Sequence, residues 1–191
     1  MKKKISSLNQ QLKDFLSTMG ISIKHASLLL IAFMSLVLTV LDLNGFDFGV
    51  IALVCWVLRG LHFQKPPFAQ SKLIRVIKGR ILDVAVDIRR GSPTYGKYVA
   101  QYLSGDSKEQ LFIPRGFAHG FSVHSQEAII QYKCDAFYAP ESEGAIAWND
   151  PELNIDWGLD TNDIILSDKD KRHPYLNVLC SPFAYDMNYY K

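Results

Sequence analysis

An all-β domain of the sandwich or barrel kind is what the sequence predicts, and two observations carry the prediction. Downstream of Arg59, short runs rich in branched and aromatic residues recur between turn residues such as Lys78-Gly79, Gly91-Ser92-Pro93 and Pro114-Arg115-Gly116. Upstream, the chain has a different character: residues 1 to 58 hold five Lys and three Asp, only eight of the forty charged residues in a chain of 191. The expected organisation is therefore an atypical apolar segment over residues 1–57, then one barrel with a C-terminal wrap over residues 58–191.

In the first segment, Leu8, Leu12, Phe15 and Met19 recur at helical spacing between Ser7 as N-cap and Gly20 as C-cap, which predicts a short amphipathic helix. The sixteen residues Ala26 to Leu41 carry no charge, and Gly49 to Leu58 forms a shorter apolar run. A spanning helix needs about 20 apolar residues, so membrane association is not the favoured reading. A cleaved leader fits poorly too, because Lys2 to Lys4 lie far from the apolar run and no Ala-x-Ala follows it.

Strands are expected at Lys72 to Val76, Arg80 to Ile88, Tyr98 to Leu103, Gln110 to Ile113, Gly120 to Val123, Ala128 to Cys134 and Gly144 to Trp148. In Arg80 to Ile88 the alternation is strict. Leu82, Val84, Val86 and Ile88 share one face, while Asp83, Ala85 and Asp87 share the other, so one face packs the core and the other meets water or a polar cavity. The tail beyond Asp150, rich in aromatics such as Trp157, Tyr175, Phe183 and Tyr185, is expected to wrap the barrel.

Composition excludes several function classes. A net charge of +2 makes no case for nucleic acid. Cys55, Cys134 and Cys180 are odd in number and widely spaced, which argues against a disulfide framework and for a reducing, cytoplasmic setting. No GxSxG, GxGxxG, P-loop or HExxH is present, and the dispersed His62, His119 and His124 do not make the H-x-H ligand set of a metal-binding cupin, so no metal is expected.

The chemistry concentrates in a few positions. If Leu61-His62-Phe63-Gln64 is a strand, the imidazole points away from its apolar neighbours towards polar space, where histidine serves as a proton carrier near neutral pH. Asp170 could orient that ring, although spacing alone does not bring the two together. Lys72 is either a solvated lysine or a cation facing a developing oxyanion, and Tyr132 either a core aromatic or a proton donor lining a cavity.

The stretch from Val57 to about Tyr175 resembles the dTDP-4-dehydrorhamnose 3,5-epimerase family. It does so through VLRGLHFQ, KGRILDVAVDIRRGSPTYG, IPRGFAHGF, QYKCDAFYAPESEG and LSDKD, in type, order and spacing. The resemblance implies a double-stranded β-helix, or cupin-like jelly roll, acting on a dTDP-sugar as a homodimer without metal or organic cofactor. It implies His62 as general base with Asp170 as partner, Lys72 at the C4 oxygen and Tyr132 as the acid on the opposite face of the sugar. Arg59, His119, Glu143 and Lys169 match substrate-binding positions of the family, Tyr138 matches the tyrosine that stacks near the thymine, and Asp83 is expected in the same cavity.

The chain departs from the family upstream. Members carry an Arg, a Phe and a Glu around positions 23 to 28 and a Gln and an Asn near 47 to 49, in strands that partly cross to the other subunit. Here Ser22, Ile23, His25, Ala26, Leu28, Asp47, Phe48 and Gly49 stand there at conserved length, which leaves three origins open: an out-of-frame stretch rejoining near Val57, genuine divergence, or a membrane-anchored variant. Two further function classes stay open: a C3-only or C5-only epimerase of a related dTDP-sugar, and a non-catalytic sugar-binding or membrane-associated barrel.

Overall fold

The computed structural model describes residues 47–190, and they form nine strands with two single-turn 3-10 helices. The strands are β1 Asp47–Val54, β2 Leu58–Gln64, β3 Lys72–Lys78, β4 Arg80–Asp87, β5 Tyr98–Ser104, β6 Gln110–Ile113, β7 Phe117–Val123, β8 Glu127–Cys134 and β9 Glu143–Ala145. The expected helix from Ser7 to Gly20 and the run Ala26 to Leu41 lie outside the described residues. Among those described, no helix is long and apolar enough to cross a membrane.

Two antiparallel sheets result, ordered β1-β8-β3-β6 and β5-β4-β7-β2-β9. Their inner faces meet across a jelly-roll interior, where the ring of His119 on β7 stands 6.1 Å from that of Tyr132 on β8. Each strand foreseen in the sequence is present within a few residues of its expected ends, except that the last closes at Ala145, short of Trp148. The apolar run from Gly49 contributes a strand of its own, since β1 pairs with β8 along its whole length from Asp47↔Cys134 to Val54↔Glu127.

Strand β4 shows how the layers are made. Its seven residues after Arg80 are all buried, so neither face meets water. Leu82, Val84 and Val86 pack outward into a core completed by the tail residues Leu153, Trp157, Leu176 and Phe183. These tail residues add to the apolar burial on the outer face of the five-stranded sheet. The alternate residues Asp83, Ala85 and Asp87 face inward, Asp83 with no exposure at all.

Asp87 is a buried carboxylate satisfied by its own loop. Arg89 binds it through Nε at 2.9 Å and Nη2 at 2.7 Å, Ser92 Oγ donates at 2.6 Å and Thr94 Oγ1 at 2.7 Å. Burial opposes its ionisation, yet these donors outweigh burial and hold Asp87 at about 2, below the ordinary carboxyl value of 3.8. A depressed folded-state value means the stabilisation is complete above pH 4 and is lost as pH falls from about 4 to about 2, by an order of magnitude of about 2 kcal/mol. Asp87→Asn is expected to lower the melting temperature at pH 7 and to flatten its fall across that acid window; an unchanged profile would place the acid sensitivity elsewhere.

Candidate active site

Gly60 and Gly120 explain why β2 and β7 bring two histidines together. A side chain at Gly60, whose φ is +122°, would meet the Gly120 backbone at 2.4 Å, and one at Gly120 would meet the Arg59 carbonyl at 2.7 Å. With both positions bare the strands close, their register shifts between Arg59 and His62, and His62 comes to lie opposite His119. On its other side His62 pairs with Ala145 of β9, which places Glu143 one pleat away.

The tail supplies the next residue. Val57 bridges Ile165 in parallel, with Leu58 N–H donating to the Ile165 carbonyl at 3.0 Å and Ile165 N–H to Trp56 at 2.8 Å. This strap delivers Asp170, at the start of the turn Asp170–Arg172, to the imidazole: His62 Nε2 lies 2.7 Å from Asp170 Oδ1. Ser167 Oγ donates to the other oxygen at 2.7 Å and accepts from the Asp170 N–H at 3.1 Å, fixing the carboxylate. Burial resists the charge, but His62, Ser167 and the nearby Arg59 prevail and keep Asp170 at about 2.

A second carboxylate flanks the same ring. Glu143 Oε1 is 3.0 Å from His62 Nδ1, close enough for an ion pair yet not aligned as a hydrogen bond, so Nδ1 keeps no hydrogen-bond partner among the described residues. Glu143 Oε2 accepts from Tyr138 Oη at 2.9 Å and from Lys169 Nζ. His62 beside Oε1 first, with Lys169 and Tyr138 on Oε2, drives the Glu143 carboxyl far below its ordinary range in spite of partial burial.

Deeper inside, His119 Nε2 and Asp83 Oδ1 are 2.5 Å apart and wholly enclosed, with Asp83 Oδ2 left unpartnered among the described residues. Lys72 and Tyr132 come from the opposite sheet. Burial pushes Lys72 down, with Cys134, Asp83 and Glu143 opposing and Arg59 assisting. Burial pushes Tyr132 up, so its phenol keeps its proton throughout the neutral range. Burial likewise lowers His119 against the pull of Asp83. All ten residues singled out in the sequence thus gather around one polar interior, Tyr138 and Lys169 at its rim and half-exposed.

Two contributors were missed. Ser167 was legible only as the serine three residues before Asp170, a local capping spacing. His173 had no signal beyond its place before Pro174, yet its ring lies edge-on to His62 at 5.2 Å between centroids. His62, Asp170 and His173 also offer ligand atoms within 4.8 Å of one another. The 2.7 Å between His62 and Asp170 is nevertheless a hydrogen-bond distance, whereas two ligands of a tetrahedral zinc stand about 3.3 Å apart. Two open clefts, of about 600 Å³ beside Arg80 and Tyr102 and about 400 Å³ beside Tyr95 and Leu176, contain none of these residues.

Comparison with known proteins gives a consistent result. The family model for dTDP-4-dehydrorhamnose 3,5-epimerase matches residues 53–177. The enzyme of that name from Escherichia coli K12 is 54% identical over 116 residues, covering 61% of this chain and 62% of its own. That of Methanothermobacter thermautotrophicus is 51% identical over 116 residues, 60% of this chain and 62% of its own. The match therefore spans less than two thirds of either relative's length. Among solved structures, the dTDP-6-deoxy-D-glucose-3,5-epimerase of Legionella pneumophila in complex with dTDP-4-keto-L-rhamnose has 48% identity and a TM-score of 0.67, covering 69% of each chain.

Proposed function

Because this chain belongs to the dTDP-4-dehydrorhamnose 3,5-epimerase family, we propose that it inverts C3 and C5 of dTDP-4-dehydro-6-deoxy-D-glucose, giving dTDP-4-dehydro-L-rhamnose for dTDP-rhamnose biosynthesis. The observation that carries the reading is the set His62–Asp170 on one wall with Lys72 and Tyr132 on the opposite sheet. A ketone at C4 acidifies the hydrogens on C3 and C5. His62 takes one of them, Asp170 holding the ring in position, and the resulting enolate oxygen lies against Lys72. Tyr132 then returns a proton to the other face of the carbon, and the imidazolium and phenolate reset through solvent. Burial supports this assignment, since it keeps the phenol protonated until it is needed.

The remaining residues are proposed as binding groups: Arg59, His119, Glu143 and Lys169 for the sugar and its diphosphate, Tyr138 for the base, Asp83 as the support of His119. We assign the working unit as a homodimer in a reducing cytoplasm, a setting supported by cysteines that are odd in number and widely spaced, Cys55, Cys134 and Cys180. Because the positions that carry nucleotide-sugar ligands in the family's N-terminal strands hold other residues here, substrate affinity is expected to be weaker than in the relatives.

The test is to incubate the purified chain with dTDP-4-dehydro-6-deoxy-D-glucose in deuterated water and to follow both centres by NMR. Inversion with label at C3 and C5, retained after exhaustive chelation, is expected. Label at a single centre would favour the second reading, for which one similar structure speaks: a 3'-monoepimerase from Streptomyces bikiniensis, 30% identical, covering 71% of this chain, with a TM-score of 0.65. No turnover and no exchange would leave the non-catalytic barrel. In the same assay Tyr132→Phe should spare exchange while inversion falls at least tenfold, because the hydroxyl acts only on the return step; equal loss of both would reduce Tyr132 to packing.

A further inference from the structure

His173 lies outside the roles assigned above, and three observations make it more than a neighbour. Its ring stands at 85° to that of His62, with centroids 5.2 Å apart, so it limits how the base can rotate. Its Nε2 is buried without a hydrogen-bond partner among the described residues. That same atom points at Asp170 Oδ1, the oxygen bound by His62, from 3.4 Å. The backbone behind it is pinned, since the Pro174 carbonyl accepts from Ala147 N–H at 2.8 Å.

We propose that His173 is a positioning residue for the base: a neutral imidazole carrying its proton on Nε2, which shares Asp170 Oδ1 with His62 and so limits how tightly Asp170 holds a proton on that ring. The proposal rests on the epimerase reading. A base is useful only if it starts without a proton, and His62 has a carboxylate at each nitrogen, both of which attract one. The groups facing it are Arg59 on its own strand, His119 from β7, Glu143 from β9, and Lys169, Asp170 and His173 from the tail. Lys169 already draws on Glu143, and His173 does the same for Asp170 without adding a charge. Its burial, with His62 adding to it and Asp170 opposing, disfavours the imidazolium that would repel a protonated His62. The 3.4 Å contact is long for a hydrogen bond, so His173 acts on Asp170 as a weak, charge-directed donor.

The decisive comparison is His173→Phe against His173→Gln, in kcat/KM measured from pH 5 to 9. Phenylalanine keeps the edge contact and removes the donor; glutamine keeps a donor. Without the donor Asp170 favours imidazolium on His62, so in His173→Phe the acid limb should move to higher pH by about 0.5 to 1 unit, while in His173→Gln it stays near the wild-type position. An unmoved limb in His173→Phe, or an equal shift in both variants, would overturn the proposal. A second measurement needs no variant and no turnover: nitrogen-15 shifts of labelled wild-type histidines should show His173 as the neutral Nε2–H form from pH 6 to 8. A neutral Nδ1–H form, or an imidazolium in that range, would refute it even if the chain proved inactive, whereas absence of wild-type turnover would count against the epimerase reading alone.

Discussion

His62→Ala is expected to lower kcat by roughly 10²- to 10⁴-fold and to abolish deuterium incorporation at both C3 and C5, the range a positioned general base contributes. The reason is geometric. His62 is the imidazole that combines a buried orienting carboxylate, at 2.7 Å, with a second ring nitrogen left without a hydrogen bond. Of the neighbouring histidines, His119 is spent on Asp83 and enclosed, and His173 turns its Nε2 to Asp170. Folding should survive the change, because Asp170 retains Ser167 Oγ at 2.7 Å and the Gly60 N–H at 3.4 Å. If exchange persists at either carbon with the protein folded, another group removes that proton, and Glu143 becomes the first candidate because it stands 3.0 Å from the same ring.

Lys72→Met should cost about 10²- to 10³-fold in kcat, the usual consequence of deleting one donor aimed at a developing oxyanion. Methionine keeps most of the stem and removes the charge. Lys72 is held opposite Cys134 on one side and Ile113 on the other, so strand pairing fixes its backbone whatever the side chain. The change falls on kcat if the ammonium meets the enolate and on KM if it only binds the ground-state sugar; a KM effect with kcat intact would remove Lys72 from the chemistry. Loss of this cation also leaves Asp83 with less compensation, which a melting curve would register separately.

Much of this was legible in the sequence because strand periodicity is a local property. The alternation of Leu82, Val84 and Val86 with Asp83, Ala85 and Asp87 separated two faces of β4 correctly, but it could not say that the apolar face lies outside the sheet, under the tail. That layer depends on Trp157, Leu176 and Phe183 returning from far along the chain. The run Gly49 to Leu58 was read only as apolar, since a segment without polar alternation carries no period to distinguish strand from helix. Its pairing with β8 becomes visible only when both strands are in place. For the site, residue type nominated His62, Lys72 and Tyr132, whereas the meeting of His62 with Asp170 came from resemblance alone. His173 was missed for the same physical reason: its contact is made by a loop, and loops leave no periodic trace.

The strap from Ile165 to Asp170 has a consequence for the life of the chain. His62 and Asp170 are 108 positions apart, and the carboxylate comes from a segment translated after every strand of both sheets. Chains emerge from the ribosome at about 5 to 20 residues per second and begin folding from their first part, so Asp170, 25 positions beyond the end of the last strand at Ala145, follows that strand by about one to five seconds. On the roles proposed above, a nascent or prematurely ended polypeptide has a pocket and a histidine but nothing to set the ring. It could bind a nucleotide sugar without abstracting its protons. Catalytic competence is thus the last property the molecule acquires, and its appearance would mark the moment the C-terminal strap has docked.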